Sequence, residues 1–134
     1  MNPKLLATCL VFLLSLGNVG CNLLANHEAI ASTTLLEQIE AQRAPVILDV
    51  RSAREYSEGH IPEAINIEFR QLPKRLSELP ATKGQPIVIY CETGVRAAVA
   101  NATLQNAGYT PIFQLTGHMK AWRSKGLPIE KSAG

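Results

Sequence analysis

Pro86-Ile87-Val88-Ile89-Tyr90-Cys91-Glu92-Thr93-Gly94-Val95-Arg96 is the stretch on which the fold turns. Pro86 to Tyr90 is apolar without interruption and rich in β-branched residues, the pattern of a strand covered on both faces inside a parallel sheet. A proline can open such a strand because no ladder donor is lost there. Helix-forming signal resumes at about Val95, so Cys91 to Arg96 is a short loop from strand to helix, and Gly94 permits its tight curvature. In open parallel sheets, ligands sit beyond the carboxyl ends of the strands, which puts Cys91 where chemistry is usually done. A loop of this kind can aim several N–H groups inward, and the positive end of the following helix adds to them. Both favour negative charge at the loop centre, and hence Cys91 as a thiolate. Arg96 contributes a planar cationic fork able to hold an oxyanion or to lock the loop through a carboxylate.

Working outward, short apolar runs alternate with amphipathic stretches, as expected of βα units around a mostly parallel sheet. Ser32 or Thr33 is a candidate cap for a helix over about 33–42, with Leu35, Leu36 and Ile39 on one side. Pro45 to Val50 reads as a second buried strand, with Asp49 near its end. A helical turn over 54–58 is stopped by Gly59, a brief strand follows at 64–67, and 72–79 reads as helical until Pro80. The helix from Val95 carries Val99, Ala102 and Leu104 on an apolar surface and ends at Gly108. A last strand at 111–115 and a helix at 118–124 complete the set, leaving 125–134 as a frayed tail.

The chain has 134 residues, enough for one domain, and 46% are apolar, as in globular proteins. Thirteen basic against eleven acidic residues, with no block of one sign, give +2 and no footprint for nucleic acid. The start differs from the rest. After Lys4, the apolar run Leu5 to Leu16 is about twelve residues, whereas a spanning helix needs about 20. It therefore reads as the hydrophobic region of a signal peptide over 1–21, followed by a linker over 22–29 and a domain over 30–131. Two cleavage steps compete. Val19-Gly20 before Cys21 is similar to a bacterial lipobox in which Cys21 is lipidated, although Asn18 departs from it, and the triplet Ala29-Ile30-Ala31 is the other. The Cys21 step is preferred, which implies an exported protein of the periplasm or cell envelope with a lipid anchor to the membrane. Cys9 lies inside the signal, so the domain keeps Cys91 alone and can form no internal disulfide, and a leftover thiol in an exported protein is reactive or partner-seeking.

Asp49-Val50-Arg51 with Glu55-Tyr56, Gly59-His60-Ile61-Pro62 with Ala64 and Asn66, the Cys91 to Arg96 loop, and Gly117-His118 with Trp122 and Gly126-Leu127-Pro128 together resemble the rhodanese-like domain. The resemblance spans nearly everything after the signal. It implies an α/β three-layer fold, a five-stranded parallel sheet flanked by helices, with a short first strand at 30–32. Cutting after Ala31 would break that strand, hence the preference for Cys21.

It also implies sulfur transfer through a persulfide on Cys91, from thiosulfate or a related persulfide donor to cyanide, a thiol or a protein thiol partner. Glu92, Thr93, Gly94, Val95 and Arg96 would hold the substrate. Asp49, Arg51 and Glu55 are read as structural support. His60, His118 and Trp122 are read likewise, as core or backbone-bonded groups. Rhodanese-like phosphatases have a longer loop between cysteine and arginine, so phosphoryl chemistry ranks below sulfur. The alternative within sulfur chemistry is a persulfide carrier or thiol-binding module with little turnover. Glu92 sets an anion beside the nucleophile and argues for a donor less anionic than thiosulfate. No cofactor is expected, and three scattered histidines and one domain cysteine lack the spacing of a metal site.

Overall fold

The computed structural model describes residues 27–133. The apolar N-terminal run, Cys9, Cys21 and the cleavage step before it lie outside the described residues. Five parallel strands form one sheet: β1 (Glu28–Ile30), β2 (Val46–Asp49), β3 (Ile65–Asn66), β4 (Ile87–Tyr90) and β5 (Ile112–Leu115), ordered β1-β5-β4-β2-β3. The helices are α1 (Ser32–Glu40), α2 (Ala53–Glu58), α3 (Val95–Asn106) and α4 (His118–Ser124). β4 occupies the centre because it can bury both faces, and every one of its residues is buried.

Alternation along the strands sorts the core into two layers. Leu48, Ile87, Ile89 and Cys91 face a layer built from Ala97, Ala100 and Leu104 of α3 together with Leu72 and Leu79. Ile47, Val88 and Tyr90 face the other, where Leu35 and Ile39 of α1 meet Met119 and Trp122 of α4. The small residues Ala97 and Ala100 let α3 lie close against the sheet, and a Schellman turn closes it: Tyr109 N–H reaches Leu104 O and Gly108 N–H reaches Gln105 O. Gly108 takes φ +89°, as that turn requires.

Several sequence-based expectations are corrected. The first strand lies at Glu28–Ile30 rather than 30–32, so residues assigned to a linker, Glu28 and Ala29, already pair with β5. The strand runs almost directly into α1, whose cap is Ala31 without a side-chain bond; Ser32 is the first helical residue and its buried hydroxyl finds no partner. The expected helix over 72–79 is two 3-10 turns, Leu72–Lys74 and Leu76–Glu78. Pro73 removes a donor and Arg75 leaves the helical region at φ −123°, which breaks the ladder. On α3 the buried set is Ala97, Ala100, Asn101 and Leu104, while Val99 and Ala102 face outward. Residues 127–130 of the last segment are not frayed. Trp122 Nε1–H donates to Pro128 O at 2.8 Å, and His60 and Glu130 exchange two backbone bonds at 2.9 Å each. Those bonds strap 127–130 across the end of the sheet that carries Cys91.

Candidate functional site

β2 and β4 are neighbours, yet the chain leaves them in opposite directions. From β2 it passes through α2 to the edge strand β3; from β4 it passes through α3 to β5 on the other side. The loops diverge, and a crevice opens at the carboxyl ends of these two strands. Asp49 is the last residue of β2, and Cys91 directly follows β4.

On the β2 side the wall is rigid. Asp49 is fully buried and accepts from Arg51 N–H at 2.9 Å, from Nε at 3.0 Å and from Nη2 at 2.7 Å. The same Nη2 donates to Gly59 O, and Asn66 Nδ2 donates to the carbonyls of Asp49 and Arg51. A buried pair survives only when its remaining valences are met, and here both Asp49 oxygens and the Nε and Nη2 of Arg51 are bonded, with Nη1 turned toward Glu92 at 3.8 Å. The guanidinium also lies 5.6 Å from the centroid of the Tyr90 ring. Burial, with Asp49 nearby, pushes the Tyr90 phenol well above its ordinary range, and its oxygen accepts Ile61 N–H.

On the β4 side the Cys91 thiol is nearly enclosed, its residue 1% exposed. Gly94 N–H points at Cys91 Sγ at 3.0 Å, and Gly94 takes φ +124°, a conformation that a residue with a Cβ adopts only under strain. Behind it, the N–H groups that open α3 have no carbonyl one turn back, as at any helix start. The loop's own carbonyls are drawn away from the sulfur. Met119 N–H binds Cys91 O at 3.0 Å, and Lys120 N–H binds Glu92 O at 3.2 Å. The first turn of α4 thus holds the outside of the loop while the Gly94 amide faces the sulfur inside it.

Arg96 locks the loop rather than standing free. Its Nη1 and Nη2 grip Glu55 Oε2 and Oε1 at 2.7 and 2.9 Å, a bidentate pair linking α3 to α2. Glu55 is also the third residue of a capping box: it accepts from Ser52 N–H while Ser52 Oγ accepts Glu55 N–H. Arg96, with the Ser52 bonds adding, holds the Glu55 carboxyl at about 2, against an ordinary 4.5. Glu92 is engaged in turn by Arg123, and its second oxygen lies 3.8 Å from Arg51. Thr93 and Val95 project outward, Val95 being 76% exposed at the rim.

Beside the loop is a cleft of about 640 Å³. Three basic residues, Arg51, Arg123 and Lys131, and three acidic ones, Glu55, Glu58 and Glu92, line it, so its charges cancel. Gly59 and Ile129 complete the wall. Of the sequence candidates, Arg51, Glu55 and Glu92 line the cleft, while Asp49, Cys91, Gly94 and Arg96 are bonded to one another or to these residues just behind it. His60 stands apart, stacked 3.7 Å from Tyr56 with Nδ1–H on Tyr56 O. Arg123, Ile129, Lys131 and the contact of His118 with the loop were not foreseen. They reach the site from more than twenty residues away in sequence, and nothing local signals such pairings.

A family profile described as a rhodanese-like domain matches residues 32–125. A sulfurtransferase of Allochromatium vinosum is 34% identical over 105 residues, covering 78% of this chain and 96% of that protein. A putative sulfur carrier protein of Bacillus subtilis, YrkF, is 29% identical over 89 residues, which is 66% of this chain but 47% of that one. Among solved structures, a rhodanese-related protein from Thermoplasma volcanium superposes with a TM-score of 0.67 at 28% identity, covering 78% of this chain and 99% of the other.

The Arg96–Glu55 clamp yields a pH signature. Because the Glu55 carboxyl is depressed in the folded chain, the unfolded chain takes up the proton first as pH falls, and that favours unfolding. The stability advantage of wild type over Glu55→Gln is predicted to be constant above about pH 4.5 and to shrink toward pH 2. Urea unfolding at a series of pH values reads it; a gap that does not change across that window would remove the clamp from the account.

Proposed function

Since the chain belongs to the rhodanese-like domain family, we propose that it is a sulfurtransferase in which Cys91 carries sulfane sulfur as a persulfide. The observation that carries the reading is the Gly94 N–H on Cys91 Sγ at 3.0 Å, in a loop whose carbonyls at 91 and 92 are tied back by α4. An amide aimed at the sulfur, with the start of α3 behind it, stabilises a thiolate and then the terminal sulfur anion of a persulfide. The Cys91 thiolate attacks the outer sulfur of the donor, a new S–S bond forms, and the donor's bond breaks with its electron pair leaving on the departing group. An acceptor thiolate, or cyanide, then takes the terminal sulfur and returns Cys91 as thiolate.

The cleft supports a donor of low charge. Each guanidinium by the loop already has a carboxylate: Arg51 has Asp49, Arg96 has Glu55, and Arg123 has Glu92. Thiosulfate would bring two negative charges to a cleft whose own charges cancel. A persulfide on a small thiol or on a partner protein brings fewer, and it is the donor class we propose. The same pairing argues against a phosphatase, in which the arginine must grip phosphate. A persulfide carrier with little turnover is the second reading, favoured by the near-complete enclosure of Cys91. We further propose that 1–21 is an export signal ending before a lipidated Cys21, which would hold the domain at a membrane of the cell envelope.

Three outcomes are predicted. Incubation with a persulfide donor should add one sulfur, about 32 Da, to wild type and none to Cys91→Ser, as read by intact mass; equal masses for both would refute the chemistry. Repeated release to a thiol acceptor would identify an enzyme, and a single loading a carrier. Glu92→Gln, by freeing Arg123, should raise kcat/KM for thiosulfate about two- to fivefold, the scale of a partly exposed ion pair. Unchanged turnover in that variant would end the charge argument. For the anchor, Cys21→Ala should move the protein from the membrane to the soluble fraction of expressing bacteria, whereas unaltered partition would dismiss lipidation at that residue.

A further inference from the structure

The N–H of the nucleophile's own residue is received by a ring nitrogen. Cys91 N–H points at His118 Nδ1 at 3.3 Å. Gly94 backs onto the same ring, since a Cβ there would lie 2.9 Å from His118 Nε2. The imidazole is therefore wedged under the loop from its first residue to its glycine. It is 8% exposed, and its backbone takes φ +53°, the left-handed region that side-chain-bearing residues rarely occupy. Gly117 before it is also left-handed, at φ +74°. Two successive turns of this hand swing the chain sharply from β5 into α4 and deliver the ring to the loop, a local strain that the surrounding structure must support.

Nδ1 can accept a hydrogen bond only when it carries no proton, so the bonded imidazole is neutral with its proton on Nε2. We propose, on the premise that Cys91 carries sulfur, that His118 is a positioning residue: as a neutral ring it holds the Cys91 amide and the floor of the loop in the sulfur-accepting shape, and protonation releases them. A second proton would set N–H against N–H at Cys91 and break the contact. Burial lowers the proton affinity of His118 below the ordinary histidine value of 6.5, which keeps the ring neutral in the physiological range. The titratable groups around it are the Cys91 thiol and Glu92 on the loop, the latter committed to Arg51 and Arg123, and Lys120 and Arg123 on α4 itself. No carboxylate pairs with the imidazole among the described residues, so nothing there offsets the cost of charging it.

Wild type, His118→Asn and His118→Ala separate this role from plain packing. Asparagine tolerates the left-handed backbone and can offer its carbonyl oxygen to Cys91 N–H without titrating. The rate of persulfide loading, followed by intact mass from about pH 5 to 8, should be similar at neutral pH in wild type and the Asn variant. Below about pH 6.5 wild type should fall away from Asn, whose side chain does not titrate, so the ratio of the two rates should change with pH. The Ala variant, which leaves the amide without an acceptor, should load about tenfold more slowly throughout. A wild-type to Asn ratio independent of pH, or Ala loading as fast as wild type, overturns the proposal.

Should no chain accept sulfur, the parent reading fails while His118 is still tested by nuclear magnetic resonance. The Cys91 amide proton should shift with the imidazole titration in wild type, and that shift should be absent in the Asn variant. A Cys91 amide indifferent to the ring would overturn the proposal whatever the sulfur chemistry does, and this comparison needs neither activity nor the Ala variant to fold.

Discussion

Everything at the site depends on the direction in which one short stretch of backbone presents its polar groups. Between Cys91 and Arg96 the chain must aim amides at a sulfur atom and find other partners for its carbonyls, because a buried peptide group left unpaired costs about as much as a lost hydrogen bond. Here the partners come from a different element. The amides of Met119 and Lys120 donate to the carbonyls of Cys91 and Glu92, the ring of His118 accepts the Cys91 N–H, and Gly94 supplies the backbone curvature. The loop and the start of α4 are consequently tied into one hydrogen-bonded unit.

Around this unit the charges are structural before they are catalytic. Arginines near a cysteine loop invite the reading of an anion trap, yet each of them is committed to a carboxylate of the chain. Arg51 closes the end of β2 through Asp49 and Gly59, and Arg96 fastens the start of α3 to the cap of α2. The pair of Glu92 and Arg123 forms part of the cleft wall. Charge spent on internal geometry is not available for substrate, which is the ground for proposing a sulfur donor carried on a thiol over a small dianion. The strap at 127–130 serves the same end of the molecule, with Trp122 and His60 holding it beside the cleft.

Legibility differed by kind of signal. β4 and the position of Cys91 could be read because an uninterrupted apolar run has few alternatives in a chain of this composition. α4 was readable to the residue, and α3 to its starting point. The segment at 72–79 misled because its apolar spacing suits a helix, while Pro73 and the backbone of Arg75 restrict it to single turns. The exposed face of α3 misled for another reason. Val99 is more hydrophobic than Ala97 or Ala100, but those two positions face the sheet, where a small side chain lets the helix close in, and Val99 lies on the outer face. The strap was missed because its partners, His60 and Trp122, are not its neighbours in sequence.

Sequence alone determined the alternation of strands and helices, the placing of the one domain cysteine at the end of the most apolar strand, and the glycine and arginine that shape its loop. These follow from local pattern and backbone preference, which are properties of contiguous residues. The pairing of Arg96 with Glu55 rather than with an oxyanion, the pairing of Glu92 with Arg123 and the seating of His118 beneath Cys91 were decided only by tertiary structure. Each joins residues at least 27 positions apart. Which partner a charge or a ring nitrogen finds at such separations depends on how the helices lie across the sheet, and that is settled by packing of the whole core.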